Sequence, residues 1–119
     1  SFYDKSLKGE EFFMIPEASR DVIHSYHLYP LLIDFSKYSI NKIEMFNQMR
    51  KKGINLQVHY IPVHLQPYYK KRFGFKVGDY PVAEEFYKKE VSLPIFPLLL
   101  KKDQKFVLDC INEVMHSKK

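Results

Sequence analysis

Apolar and polar positions follow two different periods in the middle of this chain. Four apolar residues recur at every third position: Ile40, Ile43, Phe46 and Met49. This spacing predicts a helix with Ser39 as its N-cap and Gly53 as its C-cap. Alternating positions from Ile54 to Ile61 predict a strand directly afterwards, which Pro62 ends because proline has no N–H for a ladder.

Two further runs predict strands. The apolar run inside Ser25–Asp34 predicts the first, although Pro30 places it at an edge, a bulge or a kink. The run from Val91 to Ile95 predicts a short one. We expect the Ile54–Ile61 strand to lie beside the first strand, with the helix on one face of a sheet of about three strands.

Three more helices follow from local signals. One is expected from about Leu65 to Arg72, and another from Pro81 to about Glu90 with Asp79 as its cap. A last amphipathic helix is expected from near Asp103. Its predicted apolar stripe is Phe106, Val107, Cys110, Ile111, Val114 and Met115. Cys110 is therefore expected in the core.

The first 24 residues are expected to be the end of a linking helix and a connection from a missing larger domain. Ser1–Lys8 predicts the last turns of that helix, with Gly9 as its stop. The apolar patch Phe12–Ile15 has no obvious local partner, so we expect something outside these residues to cover it. Residues 25–119 would form the small domain proper.

Composition and charge narrow the possible functions. The chain has 45% hydrophobic and 28% charged residues and a net charge of +5. Its basic clusters precede Gly53 and Gly74 or close a helical stretch, which favours solvated helix ends over a nucleic-acid surface. A basic rim that attracts a nucleotide diphosphate remains open. The single cysteine and the lack of a long apolar run lead us to expect a cytoplasmic protein without membrane spans.

The strongest candidate chemistry lies on the Ile54–Ile61 strand and the loop after it. The candidate substrate-binding residues are Gln57, Val58, His59, Tyr60 and His64. Amides, imidazoles and phenol rings in one segment can hold a polar small molecule. A half-exposed strand followed by a purely structural turn is the competing interpretation. His59 and His64 have neither the spacing nor the neighbouring carboxylates of a metal site.

Catalytic signatures are missing from these residues. The four glycines are scattered, which excludes both a P-loop and a dinucleotide fingerprint, and no nucleophile pattern occurs. We therefore predict no catalytic, cofactor-binding or metal-binding residue in this chain.

Four segments in order carry a family resemblance: Ser25–Tyr29, Gly53–His64, Gly78–Glu84 and Ser92–Pro97. Together they resemble the C-terminal domain of the DegT/StrS-type sugar aminotransferases, over residues from about 25 to 115. Leu28–Leu32 with Gln57–Tyr60 is most similar to the branch that makes UDP-4-amino-4,6-dideoxy-N-acetyl-altrosamine for pseudaminic acid.

The resemblance implies a fold and an activity. It implies the α/β (α+β sandwich) small domain of a fold type I aminotransferase, with a small, mainly antiparallel sheet. The parent would be a homodimeric pyridoxal 5'-phosphate enzyme that moves an amino group from glutamate to a 4-keto UDP-linked deoxysugar. The cofactor and its lysine would belong to the missing N-terminal large domain, and Gln57–Tyr60, with His64, to the substrate wall. A free-standing α/β module that binds RNA or a protein is the alternative.

Overall fold

The fold is a three-stranded antiparallel sheet with helices packed against it. A computed structural model of the chain describes residues 2–9, 11, 13–15, 19 and 21–116. The strands are β1 (Phe13–Met14), β2 (Tyr29–Ile33) and β3 (Glu90–Leu93), in the order β1-β2-β3. Both pairings are antiparallel, with Phe13 opposite Ile33 and Tyr29 opposite Leu93. The predicted fold class is confirmed.

Five α-helices are present in the described part of the chain. They are α1 (Phe2–Leu7), α2 (Lys42–Lys51), α3 (Pro67–Phe73), α4 (Pro81–Lys89) and α5 (Lys101–His116). Short 3₁₀ turns cover Phe35–Lys37 and Val63–Leu65. Helix α5 contacts both α1 and α2, and α4 contacts β2.

The core lies on one face of the sheet. Alternate residues of β2, namely Tyr29, Leu31 and Ile33, are fully buried, while Pro30 and Leu32 are half-buried. Since paired residues of antiparallel strands share a face, Val91 and Leu93 join them. Residues from α1, α2 and α5 complete this core. The other face of β3 carries Glu90 and Ser92, both buried as well.

Pro30 lies in the middle strand of the sheet. It is opposite Ser92 of β3, whereas β1 pairs only with Leu32 and Ile33. The strand is therefore paired on one side only at Pro30, which lets a residue without an N–H occupy it.

The prediction of a strand over Ile54–Ile61 was wrong. This segment touches the sheet through one isolated bridge, between Gln57 and Ser92. Two residues later the His59 N–H donates to the Glu90 side chain at 3.0 Å and not to a main-chain carbonyl, so the ladder stops. The third strand is instead Phe13–Met14, where an apolar patch without a partner had been expected.

Part of that patch is covered by the chain itself. Phe13 is buried in the core and Ile15 packs against it, while Met14 is 55% exposed. Phe12 lies outside the described residues. Phe13 therefore needs no cover from another part of the protein.

The predicted apolar stripe of α2 needs correction. Ile43 is 76% exposed, and the buried residues are Met45 and Met49, one turn apart. The helix begins later than expected because the Asn41 side chain, and not Ser39, caps it by accepting from the Glu44 N–H at 2.9 Å. Lys52 occupies the C-cap position predicted for Gly53, and Gly53 follows it at φ +80°, the left-handed conformation that commonly ends a helix.

Helices α4 and α5 also differ from expectation in detail. The Asp79 carboxylate accepts from the Lys76 N–H at 2.8 Å and does not cap α4. In α5, Leu108 is buried and Phe106 is 52% exposed, so the stripe runs through Leu108. Cys110 is buried as predicted, and burial raises the pKa of its thiol.

Candidate functional site

A cleft of about 590 Å³ runs along the segment that was predicted to bind substrate. The reversal at Gly53 brings this segment back beside α2, and α4 supplies the facing wall. The lining residues are Phe46, Arg50, Asn55, Leu56, Gln57, Val58, Tyr60, Ile61, Gln66 and Tyr87. Amide, guanidinium and phenol groups therefore converge on a volume that suits a small polar ligand.

A second cleft of about 500 Å³ adjoins the first. The two share Phe46, Val58 and Tyr87, so aromatic rings and one apolar side chain separate them. Lys42 and Lys88 belong to the second cleft and make it basic. An anionic ligand that extends across both would meet positive charge from Arg50 and from these lysines.

The structure brings three of the five predicted residues to the cleft. Gln57 and Tyr60 are exposed there, Tyr60 by 71%, and Val58 is half-buried. His59 is half-buried and turns towards β3, where its Nδ1 lies 2.7 Å from the Ser92 Oγ. Its ring meets the Tyr60 ring edge-on at 4.8 Å.

Glu90 and Ser92 hold His59 from the polar face of β3. The Ser92 hydroxyl donates to Glu90 Oε1 at 2.5 Å, and the His59 main-chain N–H donates to Glu90 Oε2. Glu90 is fully buried, and Lys42 lies near enough that the two charges attract. Burial lowers the pKa of the Lys42 ammonium, and the attraction of Glu90 opposes that effect.

His64 occupies a separate environment. Its Nε2 lies 2.8 Å from the Glu84 carboxylate, and both residues are buried. Glu84 also accepts from the Gly78 N–H at 2.8 Å, so this pair joins the 3₁₀ turn at Val63–Leu65 to the loop before α4. The hydrogen bond from His64, followed by the one from Gly78, holds the pKa of Glu84 below its usual range.

Sequence reasoning missed several lining residues. Arg50 was interpreted mainly as a cation at a helix end, with a basic rim for an anionic ligand left open, and it lines the cleft because Gly53 folds the next segment over that end. Tyr87 comes from a helix more than twenty residues further along the chain, and no local signal places it here. The cationic run Arg50–Lys52 directly before Gly53 was the one usable signal.

The described residues form no metal cluster, and the second cleft does not fit pyridoxal phosphate. No three His, Cys, Asp or Glu side chains in the described ranges cluster as metal ligands. The half-buried lysine of the second cleft, Lys42, donates to the Tyr87 carbonyl at 2.6 Å and lies over the Tyr87 ring. No carboxylate lines that cleft to pair with a pyridine nitrogen. None of the helices in the described part is long and apolar enough to cross a membrane.

Two curated relatives resemble nearly the whole chain. An uncharacterized protein of Methanocaldococcus jannaschii, MJ1066, is 40% identical over 112 residues, which is 94% of this chain and 28% of that protein. The UDP-4-amino-4,6-dideoxy-N-acetyl-beta-L-altrosamine transaminase of Campylobacter jejuni serotype O:23/36 is 34% identical over 100% of this chain and 31% of its own length. The chain therefore spans about three-tenths of these relatives.

Solved structures give the same result. Helicobacter pylori PseC, an aminotransferase involved in the biosynthesis of pseudoaminic acid, superposes with a TM-score of 0.85 at 26% identity, over 98% of this chain and 31% of that one. The sugar aminotransferase Spr1654 of Streptococcus pneumoniae in its PMP form, described as putative, also reaches 0.85, at 25% identity over 96% of this chain and 28% of that one. The family model that matches residues 1–112 is that of the DegT/DnrJ/EryC1/StrS aminotransferases, and this chain belongs to that family.

Proposed function

We propose that this chain supplies one wall of the nucleotide-sugar site in an aminotransferase that uses pyridoxal 5'-phosphate. The reaction would move an amino group from glutamate to the 4-keto carbon of a UDP-linked deoxysugar. The observation that carries the proposal is the cleft along Gln57–Tyr60, with Arg50 at one side and Tyr87 at the other. The name of the Campylobacter jejuni relative supports the sugar class.

Each group in the cleft suits one part of such a ligand. The Arg50 guanidinium, with Lys42 and Lys88 nearby, can pair with a diphosphate. The Tyr60 and Tyr87 rings can flank the base, and the Gln57 amide can both donate to and accept from sugar hydroxyls. His59 would hydrogen-bond to the sugar. His64, predicted as a further contact, is bonded to Glu84 and would position the loop before α4.

The remaining parts of the active site would come from residues outside this chain. The chain covers about three-tenths of its relatives, so the cofactor, its lysine and the large domain are assigned to the rest of the protein. The homodimer, the division at residue 24 and the cytoplasmic location remain predictions of the same kind. Helix α1 already contributes Tyr3 and Leu7 to the core described here. No observation favours the RNA- or protein-binding alternative.

The test replaces His59 by alanine in the complete protein. Affinity for UDP-N-acetylglucosamine, a stable probe of the ligand class, should fall at least about fivefold, because one hydrogen bond to a polar ligand is worth about 1 kcal/mol or more. The cofactor absorbance should stay unchanged. His116→Ala is the matched control, since His116 is exposed at the end of α5 and does not line the cleft.

The reverse pattern would contradict the proposal. Unchanged affinity for the nucleotide sugar together with loss of cofactor absorbance in His59→Ala would remove this segment from the sugar site.

A further inference from the structure

We propose that Glu90, acting through Ser92, fixes the tautomer of His59, so that the outward-facing Nε2 accepts a hydrogen bond from a hydroxyl or amide N–H of the sugar. Glu90 and Ser92 are then positioning residues for the ligand. The inference rests on the proposed function for the identity of the ligand, and on the contacts of three side chains for the tautomer. This role would explain why the polar residues Glu90 and Ser92 are buried on a strand whose other residues are apolar.

The direction of each hydrogen bond follows from the number of protons available. The Glu90 carboxylate only accepts, and it receives the Ser92 hydroxyl proton at Oε1. The Ser92 oxygen has no second proton to give, so the contact of 2.7 Å with His59 needs a proton on Nδ1. In neutral imidazole a proton on Nδ1 leaves Nε2 as an acceptor.

Nε2 is accessible to a ligand. The side chain of His59 has one hydrogen bond among the described residues, through Nδ1. In the described ranges, every buried side-chain nitrogen or oxygen has a hydrogen-bond partner. Because Nε2 has no such partner among these residues, it is at least partly exposed to solvent, and the residues on either side of His59 in the chain, Val58 and Tyr60, line the cleft.

The hydrogen-bonded series Glu90–Ser92–His59, called the relay below, is stabilised by the charges around it. Lys42 of α2 attracts Glu90, and Glu90 also receives the His59 main-chain N–H. His59 otherwise faces the neutral ring of Tyr60. An Nε2 acceptor suits a sugar hydroxyl or an acetamido N–H, and it does not suit a phosphate oxygen, which needs a donor. The relay therefore selects for the sugar and not for the diphosphate.

Glu90→Gln provides a sharp test because the surrounding hydrogen-bonding groups fix the orientation of the new amide. The His59 main-chain N–H needs an acceptor, so the amide oxygen takes the position of Oε2 and the amide nitrogen faces Ser92. The serine hydroxyl then turns to donate to His59 Nδ1. The proton of neutral His59 moves to Nε2, which becomes a donor and opposes a donor on the ligand.

The tautomer is measured on the complete protein with ¹⁵N-labelled histidine, by NMR at about pH 8, above the ordinary titration range of histidine. We expect Nδ1–H in the unchanged protein, Nε2–H in Glu90→Gln, and both tautomers in Ser92→Ala. Glu85→Gln is the matched control, because it removes the same charge from an exposed position on α4. It should leave the tautomer unchanged.

Binding is measured in parallel with UDP-N-acetylglucosamine and with UDP. Glu90→Gln should weaken binding of the sugar nucleotide at least about tenfold more than it weakens binding of UDP. Nε2–H in the unchanged protein, or Nδ1–H persisting in Glu90→Gln, would overturn the relay. If Glu90→Gln fails to fold, the unchanged protein and Ser92→Ala decide this point alone.

The binding outcomes separate this inference from the proposed function. A reversed tautomer with unchanged sugar affinity would overturn the assignment of Nε2 as the acceptor of a hydrogen bond from the sugar, even if His59→Ala weakens binding. If His59→Ala also leaves the affinity unchanged, the sugar contact itself is refuted, while the NMR result still decides the relay.

Discussion

Two tyrosines share the carboxylate of Asp4, and removing their hydroxyls one at a time gives an internally controlled test of what joins α1 to the sheet. Tyr29 Oη donates to Asp4 Oδ1 at 2.8 Å, and Tyr26 Oη donates to Oδ2 at 3.1 Å. Tyr29 is fully buried, whereas Tyr26 is only half-buried. Tyr29→Phe and Tyr26→Phe are therefore the same chemical change in two environments.

The expected magnitudes differ because water can replace only one of the two donors. Phenylalanine keeps the ring of Tyr29 against Tyr3, whose centroid lies 5.0 Å away, so no cavity opens. The loss is then one hydrogen bond to a charged acceptor in a dry site, about 1.5–3 kcal/mol. At Tyr26 solvent competes for the carboxylate, and we expect less than about 1 kcal/mol.

Hydrogen–deuterium exchange of α1 in the complete protein measures the difference. The Lys8 N–H, bonded to the Asp4 carbonyl at 3.1 Å, reports the release of α1. Its exchange should accelerate between about tenfold and 100-fold in Tyr29→Phe, and less than about fivefold in Tyr26→Phe, since 1.4 kcal/mol corresponds to a factor of ten. Equal acceleration in both variants, or a larger one in Tyr26→Phe, would refute the assignment of burial as the deciding factor.

Two further predictions concern pH. Burial raises the pKa of Tyr3 to about 12, and burial together with Asp4 raises the pKa of Tyr29 further. The stability that these two hydroxyls contribute is therefore complete below the unfolded pKa of about 10, and it is lost as pH rises through the folded pKa values. The tyrosinate absorbance of these two should appear only with unfolding, and a normal titration of the folded protein would contradict this. The pKa of Glu84 is lowered, so its contribution is present above about pH 4.3 and is lost as pH falls through the folded value. Proteolysis of the loop at residues 74–80 should therefore increase in acid. In Glu84→Gln the loop should be cleaved readily at neutral pH, with little further increase in acid. Parallel pH profiles of the two proteins would exclude Glu84 as the cause.

Local patterns predicted the elements that depend on neighbours in sequence. The end of α2 at Gly53 follows from a left-handed residue after a helix, which any glycine in that position can supply. The strand over Ile54–Ile61 failed for a tertiary reason. Alternation gives the faces of a segment but not its partner, and here the Glu90 side chain takes the N–H that a neighbouring strand would have used. Phe13–Met14 is too short to carry a period, and only its pairing with Leu32 and Ile33 makes it a strand.

The two histidines of the candidate site show the same limit more clearly. In sequence His59 and His64 have the same immediate context, since each follows a valine and Pro62 lies between them. The structure separates them through carboxylates that lie twenty and more residues further along the chain. Glu84 binds the Nε2 of His64 in a buried pair, whereas Glu90 acts on the Nδ1 of His59 through Ser92. The first arrangement uses the ring to hold a loop, and the second leaves Nε2 without a protein partner among the described residues and open to solvent. Whether a histidine ring keeps a nitrogen available for a ligand therefore depends on which nitrogen the long-range partner takes, and the spacing of the two residues carries no information about that.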